Sequence, residues 1–184
     1  WDTLIWTLMF TAVSVSIELV IGMGLALLMK RKMPGQGLIR TAVLIPWAIP
    51  TVVAGIIWTQ FFSQNGMINY ILQTFQLIEE PLSWLGNQWL AKLSILIADI
   101  WKNTPYMSLL LLSGLLTISK DYYEAAQIDG ATRWQQFTRI TLPLIKATMS
   151  VTVLFRIISA MRVYDLIVAM TGGGPAGKTE TVSM

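Results

Sequence analysis

Three groups of residues in this chain have types and spacing that could do chemistry. From Gly172 to Thr179 the sequence GGGPAGKT spells G-x-x-x-x-G-K-T. That is the pattern of a phosphate cradle, in which backbone N–H groups and a lysine hold a nucleotide. Glu18, Asp99, Lys102, Arg156, Arg162 and Asp165 are charged residues set inside long apolar stretches, where an ionisable group is costly and points to function. The third group is DYYEAAQIDGATRWQQFTRITLPLI, Asp121 to Ile145, which concentrates acidic, small and turn-forming residues. What is missing narrows the field further. There is no Cys and no His, so disulfides, thiol chemistry, cysteinyl zinc and the usual general base are excluded. Nor is there an HExxH, a Ser–His pair or a carboxylate dyad, so no catalytic residue, metal or cofactor is expected.

The elements that must position these groups are helices in a membrane. Of the 184 residues 54% are hydrophobic and 12% charged, about half the charged share of a soluble domain, and the mean hydropathy is +0.60. A net charge of +3 is too small to argue for nucleic acid as a partner. Four apolar stretches, 4–29, 41–62, 93–118 and 147–170, reach the roughly 20 helical residues a bilayer crossing needs. The expected fold is an all-α integral membrane protein, a polytopic helical bundle of at least four spans forming a single domain over 1–184. The chain opens on Trp1 in the approach to a helix and reads as a segment of a longer protein.

Charge on the connecting loops sets the orientation. Lys30, Arg31, Lys32 and Arg40 crowd the first loop, and Lys120, Arg133, Arg139 and Lys146 the third, whereas the second has Glu79 and Glu80 and no Lys or Arg. The positive-inside rule puts 30–40 and 119–146 in the cytoplasm and 63–91 and 171–184 outside it. Trp84 and Trp89 then suit an outer interfacial belt, and Trp47 and Trp58 fall nearer the ends of the second span. The glycine loop is thus kept away from cytoplasmic ATP. It follows a transmembrane helix rather than a strand, and Pro175 lacks an N–H the cradle would use. A tight extracytoplasmic turn is the expected structure.

In the third loop, Asp121 or Ser119 can cap a short helix running to Asp129, with Glu124 in its first turns. Gly130 breaks that helix. Thr132 and Gln135 form a capping-box pattern for a second one, on which Trp134, Phe137 and Ile140 make an apolar stripe. Pro143 is expected to end the loop and start the fourth span. Ala125 and Ala126 leave room for another surface to approach. Physics alone leaves two readings open: a docking element, or a pair of helices lying on the membrane.

The spacing Glu124-Ala125-Ala126, three residues, Gly130, nine residues, Ile140-x-Leu142-Pro143 resembles the EAA loop of ABC-importer permeases at every motif position. The stretches GMGLALLMKRKMPGQGLIRTAVLIPWAIP, IWKNTPYMSLLLLSGLLTISKDYYEAAQIDGA and MTGGGP resemble the carbohydrate branch, the maltose-type permeases. The resemblance implies a type I ABC-importer permease fold in the inner (plasma) membrane. It implies that Glu124, Ala125, Ala126, Asp129, Gly130, Ile140, Leu142 and Pro143 couple to a separate ATP-binding cassette ATPase. It also implies a second permease subunit as heterodimer partner, an extracytoplasmic sugar-binding protein, and further spans beyond this segment.

For a substrate pathway, planar multi-donor groups and aromatic faces suit a sugar: Trp101, Asn103, Tyr106, Arg156 and Ser159. Asp99, Lys102, Asn103 and Tyr106 share a helical face that lines a cavity or, alternatively, lies near the outer surface with Lys102 snorkelling. Pro105 is expected to kink that helix. Glu18, about 21 Å along the first span from Leu4 at 1.5 Å per residue, faces a cavity or a neighbouring helix. Arg156, about 14 Å into the fourth span, is near the midplane, and Arg162 and Asp165 are spaced to neutralise each other. The leading function is a sugar-import permease. A permease for polyamine or phosphate and a non-transporting membrane scaffold are the alternatives.

Overall fold

The structure, a computed structural model, describes residues 1–31 and 34–184. Of the basic residues in the first loop, Lys32 lies outside the described residues. Helix α1, Asp2–Lys30, carries an acid in its first turn and a base in its last, matching the sign of the helix dipole at each end. Its 29 residues extend about 43 Å, more than a hydrocarbon core of about 30 Å. Among the described residues it is the one helix long and apolar enough to cross a membrane unaided. Helix α5, Gln88–Leu116, lies along it, started by Asn87, whose side chain accepts the Trp89 and Leu90 N–H groups. It runs unbroken through Pro105.

The second apolar stretch is not one straight span. It forms α2, Gln36–Ala48, and α3, Thr51–Phe61, bent by 91°. The cause is Pro50: the residue before a proline is pushed out of the helical region, and Ile49 is extended at φ −72°, ψ 132°. The fourth stretch is also broken. Helix α9, Lys146–Met161, ends before Arg162, and α10, Asp165–Thr171, starts again at Asp165. No proline signals this break. Instead the Val163 carbonyl accepts hydroxyl hydrogen bonds from Thr181 (2.9 Å) and Ser183 (2.5 Å), so tertiary donors replace the intrahelical one. Arg162 therefore caps the end of α9 while Asp165 opens α10, and among the ion pairs of the described residues none joins them.

Between α3 and α5 the chain makes α4, Met67–Thr74, organised by a buried asparagine that sequence reasoning passed over. The Asn69 amide N donates to the carbonyls of Gln64 (3.0 Å) and Leu82 (2.9 Å), and its Oδ1 accepts the Leu82 N–H (3.1 Å) and the Trp84 indole N–H (2.9 Å). Trp84, expected in an outer belt, is instead a core residue packed on Phe62. Trp89 is exposed, as a belt residue would be.

Helices α6, Asp121–Ile128, α7, Arg133–Gln136, and α8, Leu142–Leu144, make up the third loop, with a π turn at Phe137–Thr141 between the last two. Two apolar clusters fill the bundle. One gathers Met23, Ala26, Met29, Met107, Leu111 and Leu115; the other gathers Trp6, Phe10, Phe62, Trp84, Ile95 and Leu166. Along α5 the charged residues Asp99 and Lys102 fall between these clusters, and on α1 Glu18 lies between Val15 and Met23 of the first.

Candidate functional site: a buried charge cluster and an exposed helix–turn–helix

Arg156 of α9 is almost wholly buried, as are Glu18 of α1 and Asp99 of α5. Its Nε donates to Glu18 Oε2 at 2.5 Å and its Nη2 to Glu18 Oε1 at 2.8 Å, the two-pronged geometry that suits a guanidinium to a carboxylate. Nη2 also donates to Asp99. The Asn103 amide donates to the other Asp99 oxygen at 2.8 Å. One turn away, Lys102 donates to the Ile49 carbonyl at 2.6 Å, so a cation sits at the C-terminal end of α2 where the dipole favours it. Two carboxylates and two cations thus balance, and the four side chains tie α1, α5, α9 and the α2–α3 break together. Asp99 and Lys102 are both buried within the bundle, and the Lys102 ammonium is held on the Ile49 carbonyl instead of extending outward.

Beside this cluster is a cavity of about 200 Å³ lined by Asp99, Lys102, Asn103, Arg156, Ser159 and Tyr164. Three residues expected along a substrate pathway, Asn103, Arg156 and Ser159, are therefore brought together. The other two are not. Trp101 sets its ring edge to face against Trp58 at 5.7 Å between centroids, and Tyr106 stacks on Trp47 at 5.7 Å. Both aromatics are spent on packing α5 against α2 and α3. Sequence reasoning treated Glu18 and Arg156 separately because 138 residues divide them. The missed signal was arithmetic: opposite charges at mid-depth on different spans relieve their cost by meeting.

The third loop folds as a helix–turn–helix. Gly130 has φ +75°, a left-handed conformation that a side chain would strain, and Thr132 and Gln135 complete both bonds of the capping box. At the N-terminus of α6, Ser119 accepts the Asp121 N–H at 3.3 Å. Glu124, Ala125, Asp129 and Gly130 are exposed, Ala126 and Ile140 half-buried, and Ile128 is 87% exposed. A cavity of about 370 Å³ is lined by Ala126, Asp129, Gly130, Gln135, Arg139 and Ile140.

Leu142 instead packs on the core. Pro143 sits in the first turn of α8, and the chain turns into α9 by 68° at Ile145, two residues later than expected. The apolar stripe is also revised. Phe137 is half-buried on the core but Trp134 is 71% exposed. The π turn widens the helix after Gln136, so Thr141, bonded to the Tyr123 hydroxyl at 2.9 Å, takes the buried position.

The glycine loop is a closed turn. It follows α10, its Gly172 and Gly173 have φ +58° and +88°, and the N–H groups of Gly174, Lys178 and Thr179 donate to the loop's own carbonyls. Thr179 is fully buried, donating to the Gly174 carbonyl at 2.7 Å, and Lys178 reaches Asp2 at 3.0 Å. The Lys178 ammonium and the N–H groups of Gly174, Lys178 and Thr179 are thus already engaged within the chain.

A helical bundle with an apolar exterior, broken spans around a buried charge cluster and one projecting helix–turn–helix is the architecture of a membrane permease. Residues 18–182 match the family described as the binding-protein-dependent transport system inner membrane component, and the chain belongs to that family. It is 43% identical over its whole length to the trehalose/maltose transport system permease protein MalF of Thermococcus litoralis, covering 62% of that protein. It is 44% identical to the trehalose transport system permease protein SugA of Mycobacterium tuberculosis, covering 58% of it. The chain thus spans about three-fifths of the length of these curated relatives. Its fold superposes on a chain of a bacterial ABC transporter that imports the acidic polysaccharide alginate, with a TM-score of 0.87 and 26% identity, covering 99% of this chain and 64% of that one. The same likeness holds for that transporter in complex with its alginate pentasaccharide-bound periplasmic protein.

Proposed function

We propose that this chain is the core of a permease subunit of an ATP-driven, binding-protein-dependent sugar importer. In this reading it crosses the inner membrane several times, pairs with a second permease subunit and receives solute from an extracytoplasmic sugar-binding protein. ATP is hydrolysed by separate ATPase subunits, onto which Glu124, Ala125, Ala126, Asp129, Gly130 and Ile140 dock. Leu142 and Pro143 connect that docking element to α9. The observation that carries the proposal is the projecting α6–Gly130–α7 turn. It leaves Glu124, Ala125 and Ile128 exposed beside an open cavity lined by Ala126, Asp129 and Gly130, a surface of small residues, carboxylates and one bare isoleucine. Sugar is favoured over polyamine or phosphate because the relatives are named for trehalose, maltose and lactose transport. The polar cavity at Asn103, Arg156 and Ser159 is where the pathway would pass.

These 184 residues contain no Cys, so single cysteines placed in them, in a full-length protein with any Cys elsewhere replaced by Ser, test this without background. In intact cells a cysteine at exposed Gln127 is expected to stay unlabelled by an impermeant thiol reagent, and one at exposed Glu80 to label. In inverted vesicles Gln127→Cys should label, and adding the ATPase subunit should slow that labelling at least severalfold. Labelling of position 127 from outside the cell would refute the orientation. Labelling in inverted vesicles at the same rate with and without the ATPase would refute the docking.

A further inference from the structure

A second cavity on the same loop, of about 570 Å³, lies between the end of α1 and the helices of the loop. Its walls include Lys30 and Arg31 at the end of α1, Arg133 at the start of α7, and the aromatic rings of Tyr123, Trp134 and Phe137. No Asp or Glu lines it, and none of the three cations has a carboxylate within ion-pair reach among the described residues. Lys30 instead lies 4.7 Å from the centre of the Tyr123 ring and 3.4 Å from its hydroxyl, which in turn meets Thr141. These bonds hold the ammonium in place without neutralising it. Trp134, 71% exposed, is the indole that the helical stripe was expected to bury.

We propose that this cavity binds the phosphate headgroup of an anionic phospholipid. Three unneutralised cations beside an apolar wall supply what a phosphodiester on a hydrocarbon tail requires. Lys30 and Arg31 end the membrane-spanning helix, so the cations stand at headgroup depth, and Leu27, one turn deeper and also on the wall, meets the first acyl carbons. Basic pockets at helix ends on the cytoplasmic side are the usual means of holding such headgroups. The inner-leaflet location rests on the orientation proposed above; the chemistry of the cavity does not. Because Tyr123 and Arg133 belong to the helices that flank Gly130, an occupied cavity would brace the turn between them.

The test uses the full-length protein in neutral detergent, with native mass spectrometry counting bound lipid against added phosphatidylglycerol or phosphatidylcholine. Measured in detergent, it is independent of which side of the membrane the loop occupies, so labelling at position 127 and lipid binding can fail separately. Phosphatidylglycerol should bind at least tenfold more tightly than phosphatidylcholine. The double variant Arg31→Gln, Arg133→Gln should lose roughly tenfold or more, at about fivefold per cation. Arg31→Lys with Arg133→Lys should stay within about threefold, and Lys146→Gln, which removes an exposed cation outside the cavity, should change nothing. Equal binding of the two lipids would overturn the proposal, as would equal loss in Lys146→Gln or in the charge-retaining variant. Competition by free glycerol phosphate as potent as the lipid would assign the cavity to a soluble phosphate instead, and would equally overturn it.

Discussion

Arg156→Ala is expected to lower the stability of the full-length protein by about 3–5 kcal/mol, the range for removing one partner of a buried ion pair. The reason is the imbalance left behind. Glu18 and Asp99, both almost fully buried, would lose their shared guanidinium and three hydrogen bonds, and must then either stay ionised without that partner or take up protons, while Lys102 is already committed to Ile49. Arg156→Lys should recover less than half of the loss, because a single ammonium cannot reproduce the fork on Glu18 and reach Asp99 as well. The triple variant Glu18→Gln, Asp99→Asn, Arg156→Met should recover most of it, since removing all charge together leaves no orphan ion. Thermal or denaturant unfolding in detergent reads each of these. An Arg156→Ala protein within about 1 kcal/mol of wild type would show that the cluster is hydrated in the membrane and does not hold α1, α5 and α9 together.

Gly130→Asp is expected to act on assembly with little effect on folding. A Cβ added at Gly130 meets nothing within 4 Å, so the cost inside the chain is the left-handed backbone alone, about 1–2 kcal/mol and less for Asp or Asn, which tolerate that region. In an ATPase cleft the same side chain would occupy the space that the open turn leaves for the partner, and would bring a desolvated charge beside Asp129. ATPase pull-down and solute-stimulated ATP hydrolysis should both fall at least tenfold, while membrane insertion and melting temperature stay close to wild type. Gly130→Asn, equal in size and backbone strain but uncharged, should fall less. Gln136→Ala should cost less than Gly130→Asp, because it removes one hydrogen bond onto the Ala131 carbonyl and adds neither bulk nor charge to the turn. Full ATPase recovery with Gly130→Asp would show that the turn does not enter the partner.

Local signals in the sequence carried well. The long apolar periods of α1 and α5, the Gly130 turn and the Thr132–Gln135 capping box depend on neighbours a few residues away, and each is where local chemistry places it. The breaks were harder. Pro50 and its effect on Ile49 were open to reading, yet a run of apolar residues on both sides disguised the 91° bend. The break at Arg162–Tyr164 was not legible, because its cause is Thr181 and Ser183 reaching back 18 and 20 residues. The residues expected along a pathway divide in the same way: Asn103, Arg156 and Ser159 line one cavity, while Trp101 and Tyr106 pack on Trp58 and Trp47. The π turn hid the exposure of Trp134, since a helical wheel assumes an unbroken period.

The central claim is that the helix–turn–helix of 119–146 seats in a separate ATPase subunit. The most direct measurement is site-specific cross-linking of an Ala125→Cys variant, in membranes holding the full complex, to single cysteines placed along the cleft of the ATPase. The account predicts a high-yield cross-link from position 125, none from a cysteine at Glu80, and a yield that changes when solute-loaded binding protein and ATP are added together. An Ala125→Cys protein that cross-links only to lipid-facing residues of the permease, or to no ATPase position at all, would contradict it.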